Sequence, residues 1–109
     1  MLTLYTLDKT TGAPVRCLDW VTWATTDFRL ARTEVGTGYV STIFLGWLAA
    51  HRHDDPPRLF ETMICGIDGL DFEERYATRA EALTGHARAV EVARRAIVEA
   101  AGSDGPQAA

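Results

Sequence analysis

Lysine is nearly missing from this chain: Lys9 is the single one among eleven basic residues, and the rest are arginine. Fifteen acidic residues outnumber them, for a net charge of -4 and a pI near 5.2. That balance excludes bulk electrostatic binding to a nucleic-acid backbone, which needs clustered excess Lys and Arg. Cysteine is equally scarce. Cys17 and Cys65 lie far apart, belong to no CxxC pattern, and read as reduced packing residues of a cytoplasmic protein. No apolar run nears the roughly 18 residues a spanning helix needs, so nothing is expected to cross a membrane. The start, MLTLYTLDK, has no basic segment ahead of an apolar stretch, so no signal peptide is indicated. Neither G-x-S-x-G, a P-loop, G-x-G-x-x-G nor H-E-x-x-H occurs, so the motif-bearing enzyme classes gain no support and no cofactor is expected. The arginine bias follows from GC-rich coding, or serves the planar recognition of phosphate and carboxylate.

What remains is the composition of one ordinary globular domain: 109 residues, 47% hydrophobic and 24% charged. Residues 1–101 read as a single α+β unit and 102–109 as a disordered polar tail. Leu2 to Leu7 is a short strand, Lys9 to Gly12 a turn, and Ala13 to Cys17 a second strand that Pro14 confines to an edge. Asp19 caps a short helix carrying Trp20 and Trp23 on one face. Phe28 to Val35 and Tyr39 to Leu45 form a hairpin across Gly36-Thr-Gly38. Gly46 to Pro57 is a loop, Arg58 to Ile67 a strand, and Asp71 to Tyr76 a loop.

Thr78 and Glu81 have capping-box spacing at the start of a long helix reaching about Ala101. At about 100° per residue, Ala82, Leu83, Ala89, Val90, Ala93, Ala96 and Ile97 share one side. Glu81, Thr84, Arg88, Glu91, Arg95 and Glu99 share the other. The expected architecture is an antiparallel sheet of four to five strands, with the tryptophan-bearing helix and the long C-terminal helix packed on one face. Tyr39 to Leu45 and Leu59 to Cys65 are apolar at alternate positions of both faces. The second face therefore needs cover, and a homodimer or larger assembly is expected to supply it.

Glu61 is a carboxylate inside an apolar strand and must be partnered. One reading pairs it with Arg32, Arg75 or Arg79; the other makes it a ligand contact or an acid. His86 falls within the apolar arc of the long helix, beside Gly85, whose cost of about 1 kcal/mol relative to Ala implies close approach by another backbone or a bound group. It is a satisfied core histidine, or it joins Arg79 and Glu61 around a polar pocket and acts with Glu61 as acid and base. His51, His53, Asp54 and Asp55 resemble metal ligands by type, but their spacing fits no zinc or calcium signature and they read as a solvated loop.

The ordered blocks Val40-Ser-Thr-Ile-Phe-Leu-Gly46, Leu59-Phe-Glu-Thr-Met63, Arg75-Tyr-Ala-Thr78 and Glu81-Ala-Leu-Thr-Gly-His86 resemble a family of short phage and prophage proteins. Its pattern reads approximately VSTVFLGLDH, FETMVFGG, RYST and EAxxGH, and the resemblance covers about residues 29 to 90. Leu48-Ala49 stands where that pattern has Asp-His, which leaves His51 or His53 as displaced substitutes. Proteins of this build are similar to the sponges that counter Thoeris and related bacterial defences. The resemblance implies an anti-defence protein of the host cytoplasm that withholds a cyclic ADP-ribose variant or cyclic nucleotide. It implies contacts from Arg75, Arg79 and Arg94 to phosphate and from Phe60 or Trp47 to the ring. The implied ligand-facing set is Phe44, Trp47, Phe60, Glu61, Thr62, Arg75, Tyr76, Arg79 and His86. The remaining alternative is an inhibitor that binds a host protein.

Overall fold

A computed structural model describes residues 3–48 and 57–104. The chain is α+β, and its described residues form two antiparallel sheets and two helices. Strand β1 (Thr3–Leu7) sits between β2 (Pro14–Arg16) and β5 (Trp47–Leu48) in a small sheet. The main sheet has the order β3 (Arg29–Val35), β4 (Gly38–Phe44), β6 (Phe60–Cys65), β7 (Phe72–Tyr76). Helix α1 (Trp20–Ala24) links the two sheets, and α2 (Arg79–Asp104) packs against the main one.

The caps form where side-chain chemistry places them. Asp19 accepts from the Val21 amide at 3.1 Å and from the Thr22 hydroxyl at 2.6 Å, which starts α1. Thr78 and Glu81 exchange reciprocal bonds at 3.1 and 3.2 Å, the capping box that starts α2. Gly38 opposes Gly66 where β4 meets the end of β6. A Cβ on Gly38 would collide with the Cys65 carbonyl, and Gly66 has a φ of +78°. Two bare backbones meet there.

Three boundaries differ from the sequence reading. Asp71 to Tyr76 is an edge strand and not a loop. Its charges hid the alternation, in which Phe72, Glu74 and Tyr76 are half-buried while Glu73 and Arg75 are exposed. Charged side chains are what protect an edge from pairing with other chains. Trp47–Leu48 leaves the expected loop to pair with β1, Leu4 opposite Trp47; residues 49–56, with His51, His53, Asp54 and Asp55, lie outside the described residues. Helix α2 runs three residues beyond Ala101, into the expected tail, and 105–109 lie outside the described residues.

Alternation decides which side chains meet α2. Val40, Thr42 and Phe44 of β4, with Phe60, Thr62 and Ile64 of β6, are buried beneath it. They form two apolar clusters: Val35, Val40 and Ile64 with Ala89, Val90 and Ala93, and Phe44, Leu59 and Phe60 with Ala82. Tyr5 and Leu7 of the small sheet pack on the second cluster, which fastens that sheet to the main one. Leu83, expected on the inward arc, is 42% exposed. Gly85 and His86 take that inward sector instead.

The opposite face of the main sheet is not the apolar surface the strand pattern suggested. It carries Arg32 and Glu34, ion-paired at 2.9 Å, and Arg75 on Glu61 at 3.0 Å, among Tyr39, Ser41, Ile43 and Met63. Arg32 also lies over the Tyr39 ring, 3.8 Å from its centroid. This face thus mixes charge pairs with apolar side chains, Met63 among them at 37% exposure.

Candidate ligand-binding site

Glu61 and His86 do not meet. Thr62 points toward α2, because its hydroxyl lies 2.6 Å from that of Thr42, whose oxygen lies 2.8 Å from His86 Nδ1. Glu61, the preceding residue, therefore points to the other side of the sheet. The expected pocket between them is not built, and neither is their acid–base partnership. His86 Nε2 lies 2.9 Å from the Thr33 hydroxyl, so both ring nitrogens are satisfied within the fold. Burial lowers its pKa below the ordinary 6.5. His86 is a core histidine that ties β3, β4 and β6 to α2.

Glu61 is 7% exposed and takes its ion pair from Arg75, directly opposite on β7. Glu73, on the same face, has its pKa raised by the neighbouring Glu61 carboxylate. The structural pairing is the one formed. Tyr76 lies against Gly85, where a Cβ would overlap its ring. The Tyr76 hydroxyl donates to Glu74 at 2.6 Å, and Arg88 donates to both. The close approach implied by Gly85 is thus made by Tyr76. Phe44, Phe60 and Thr62 have no exposure and serve the core. Arg94 pairs with Glu91 on the outer side of α2.

Of the expected ligand-facing set, Arg79 and Trp47 border the two cavities that flank α1. The first, about 470 Å³, is enclosed by the β1–β2 turn, the C-terminal end of α1 and the first residue of α2. Its walls are hydroxyl-rich: Thr6, Thr10, Thr11, Thr22, Thr25 and Thr26, with Lys9 and Arg79 as cations and Asp8 and Asp27 as anions. Asp8 accepts the amides of Thr10 and Thr11 at 2.7 and 2.9 Å, which lowers its pKa and holds the turn. Arg79 crosses Gly12, where a Cβ would lie 2.9 Å from its Nη1; Gly12 has a φ of +73°. A side chain at 12 would be strained at that φ and would push the guanidinium aside. Among the described residues, Arg79 makes no ion pair.

The second cavity, about 360 Å³, is lined by Leu4, Trp20, Trp23 and Trp47. Trp23 is fixed in its wall by a 2.7 Å bond from Nε1 to the Gly46 carbonyl. Trp20 is 64% and Trp47 46% exposed, beside Leu18 at 88% and Val21 at 65%. Sequence reading noted the Trp20–Trp23 spacing but not the hydroxyls of Thr22, Thr25 and Thr26 on the other side of the same short helix. Their interleaving within one segment was the available signal.

Among the described residues no group of three or more His, Cys, Asp or Glu is placed to hold a metal ion, and no helix is long and apolar enough to cross a membrane. Fold and cavities together define a small α+β protein with a polar cleft and an aromatic slot on either side of a five-residue helix. No protein family, curated protein or solved structure matches this chain.

Proposed function

We propose that this protein binds a nucleotide-derived anionic signal and withholds it unaltered, as a phage-type anti-defence protein acting in the host cytoplasm. The observation that carries the reading is Arg79, set over Gly12 at a cleft lined with threonine hydroxyls. A guanidinium fork suits a phosphate, and hydroxyls can donate to its oxygens or bond to a ribose. Asp8 makes no ion pair with the arginine among the described residues; its Oδ1 holds the amides of Thr10 and Thr11.

Isothermal titration calorimetry with cyclic ADP-ribose variants and cyclic nucleotides tests the reading. Binding is expected, together with a raised melting temperature, since a ligand held only by the native state stabilises it. Heating the complex should release the ligand chemically intact. Arg79→Ala should weaken binding by tenfold or more, the scale of one lost charge-assisted bond of about 1.5–3 kcal/mol, at an unchanged melting temperature. Altered ligand, or no binding by any of these compounds, overturns the proposal. Association into a homodimer or larger oligomer belongs to the same proposal and is read by sedimentation velocity.

A second reading is an inhibitor docking on a host protein. It is favoured by the exposure of Leu18 and Val21, which the aromatic slot does not use.

A further inference from the structure

Five aromatic rings form a continuous series of contacts from the core to the surface, stacked at Trp20–Trp23 and Phe28–Phe44 and tilted, at 58° and 47°, at Trp23–Phe28 and Phe44–Phe60. Phe60 and Phe44 are fully buried, with ring centroids 5.4 Å apart. Phe28 follows at 6.1 Å, nearly parallel to Phe44 at 17°. Trp23 is 5.5 Å from Phe28, and Trp20 is 5.2 Å from Trp23 at 26°. Every ring but the last has an aromatic neighbour on each side or lies in the core. The series ends at Trp20, 64% exposed, and Trp47 stands across the slot.

The inner members of this series are rigid. Trp23 packs on Phe28, and its only polar atom is spent on the Gly46 carbonyl. Gly46 has a φ of +77°, and a Cβ there would overlap Phe28 and sit 3.1 Å from Trp23 Nε1. A side chain at 46 would thus unseat the wall of the slot. Fixing Trp23 in this way lowers the ordering cost of binding against its ring.

The geometry points to a stacking subsite for a planar heteroaromatic ring in the slot that Trp20, Trp23 and Trp47 line with Leu4. The slot supplies area and leaves any hydrogen-bonding edge of the ring to water, so it accepts purines with little discrimination. The inference rests on the proposed function in one respect: the ring is taken to be the base of the nucleotide-derived signal. Helix α1 serves both cavities, with Trp20 and Trp23 lining one and Thr22 and Thr25 the other.

Three probes separate the two subsites: adenosine carries the ring without phosphate, ribose 5-phosphate the phosphate without the ring, and AMP both. Binding is followed by tryptophan fluorescence and calorimetry on the full chain, with folding of each variant checked by circular dichroism. Adenosine should quench the wild-type fluorescence. Trp20→Ala should weaken adenosine and AMP about tenfold, the usual scale for one lost stacking partner, and leave ribose 5-phosphate unchanged. Arg79→Ala should weaken AMP and ribose 5-phosphate and leave adenosine unchanged.

If ribose 5-phosphate binds and adenosine does not, the stacking inference falls and the sequestration reading stands. If adenosine binds through Trp20 while ribose 5-phosphate fails, the slot stands and the Arg79 cleft loses its role. If adenosine fails and Trp20→Ala abolishes a concentration-dependent dimer in sedimentation velocity, the slot is a contact between copies and the inference is overturned.

Discussion

Gly85 is the residue whose role changes most between sequence and fold. A glycine inside a helix costs about 1 kcal/mol relative to alanine, so something must use the space. The occupant is the Tyr76 ring, which a Cβ would overlap. Gly85→Ala is therefore expected to lower stability by about 1–2 kcal/mol, an overpacking cost only partly offset by the helix gain. In a Tyr76→Ala background the sign should reverse, with Gly85→Ala stabilising by up to about 1 kcal/mol. Urea denaturation of the four proteins checks both. The glycine was legible as a close approach; its partner was not, because Tyr76 had been read as part of a loop and a loop residue has no assigned face.

His86 illustrates the same point through its protons. Burial holds its pKa below 6.5, so the folded protein prefers the neutral ring while the unfolded chain takes up a proton near that value. The sign follows from linkage: stability is full above pH 6.5 and declines as the pH falls through it toward the folded value. Asp8, Asp19 and Glu74, whose pKa values are lowered by hydrogen bonds, lose their contributions only below the ordinary carboxylate values of 3.8 and 4.5. Glu73, whose pKa is raised, works the other way. The part of a drop in urea midpoint between about pH 7.5 and pH 5.5 that His86→Gln removes thus reports His86, and no difference between the two profiles would contradict its burial.

At the scale of elements, β6 and β7 explain the carboxylate that the sequence left stranded. Glu61 was recognisable as costly from its apolar neighbours alone. Arg75 was among three candidate partners, and only the antiparallel register, Glu61 opposite Arg75, selects it. That register was hidden because β7 is mostly charged and shows weak alternation by hydropathy. Removing Arg75 should leave Glu61 and Glu73 as two neighbouring carboxylates without a cation. Arg75→Ala is expected to cost about 1 kcal/mol near pH 7, the arginine being half-exposed. Most of that loss should return on acidification, as Glu73, whose pKa the neighbouring Glu61 carboxylate raises, takes up a proton. A loss independent of pH would assign the effect to packing by the arginine stem.

For the whole molecule, the α+β class, the long helix with its capping box and the central hairpin were readable from period and turn chemistry. The division into two sheets was not. It depends on Trp47–Leu48 pairing with β1, a two-residue strand too short to leave a pattern. The same division forecasts uneven stability. Strands β4 and β6 are covered by α2, whereas α1 has no buried residue. Hydrogen exchange should find β4 and β6 slowest and α1 opening most easily. Because both cavities border α1, a bound ligand should slow exchange there more than anywhere else.

The meeting of Gly38 with Gly66 has an evolutionary consequence. Neither position can gain a side chain while the other strand stays where it is. Distant relatives should therefore keep the two glycines as an inherited couple, lost together or not at all. Tyr76 and Gly85 form a second such couple, free to drift once the ring is gone. Pairs of this kind outlast the charged surface around them, and they offer a way to recognise kinship after ordinary resemblance has worn away.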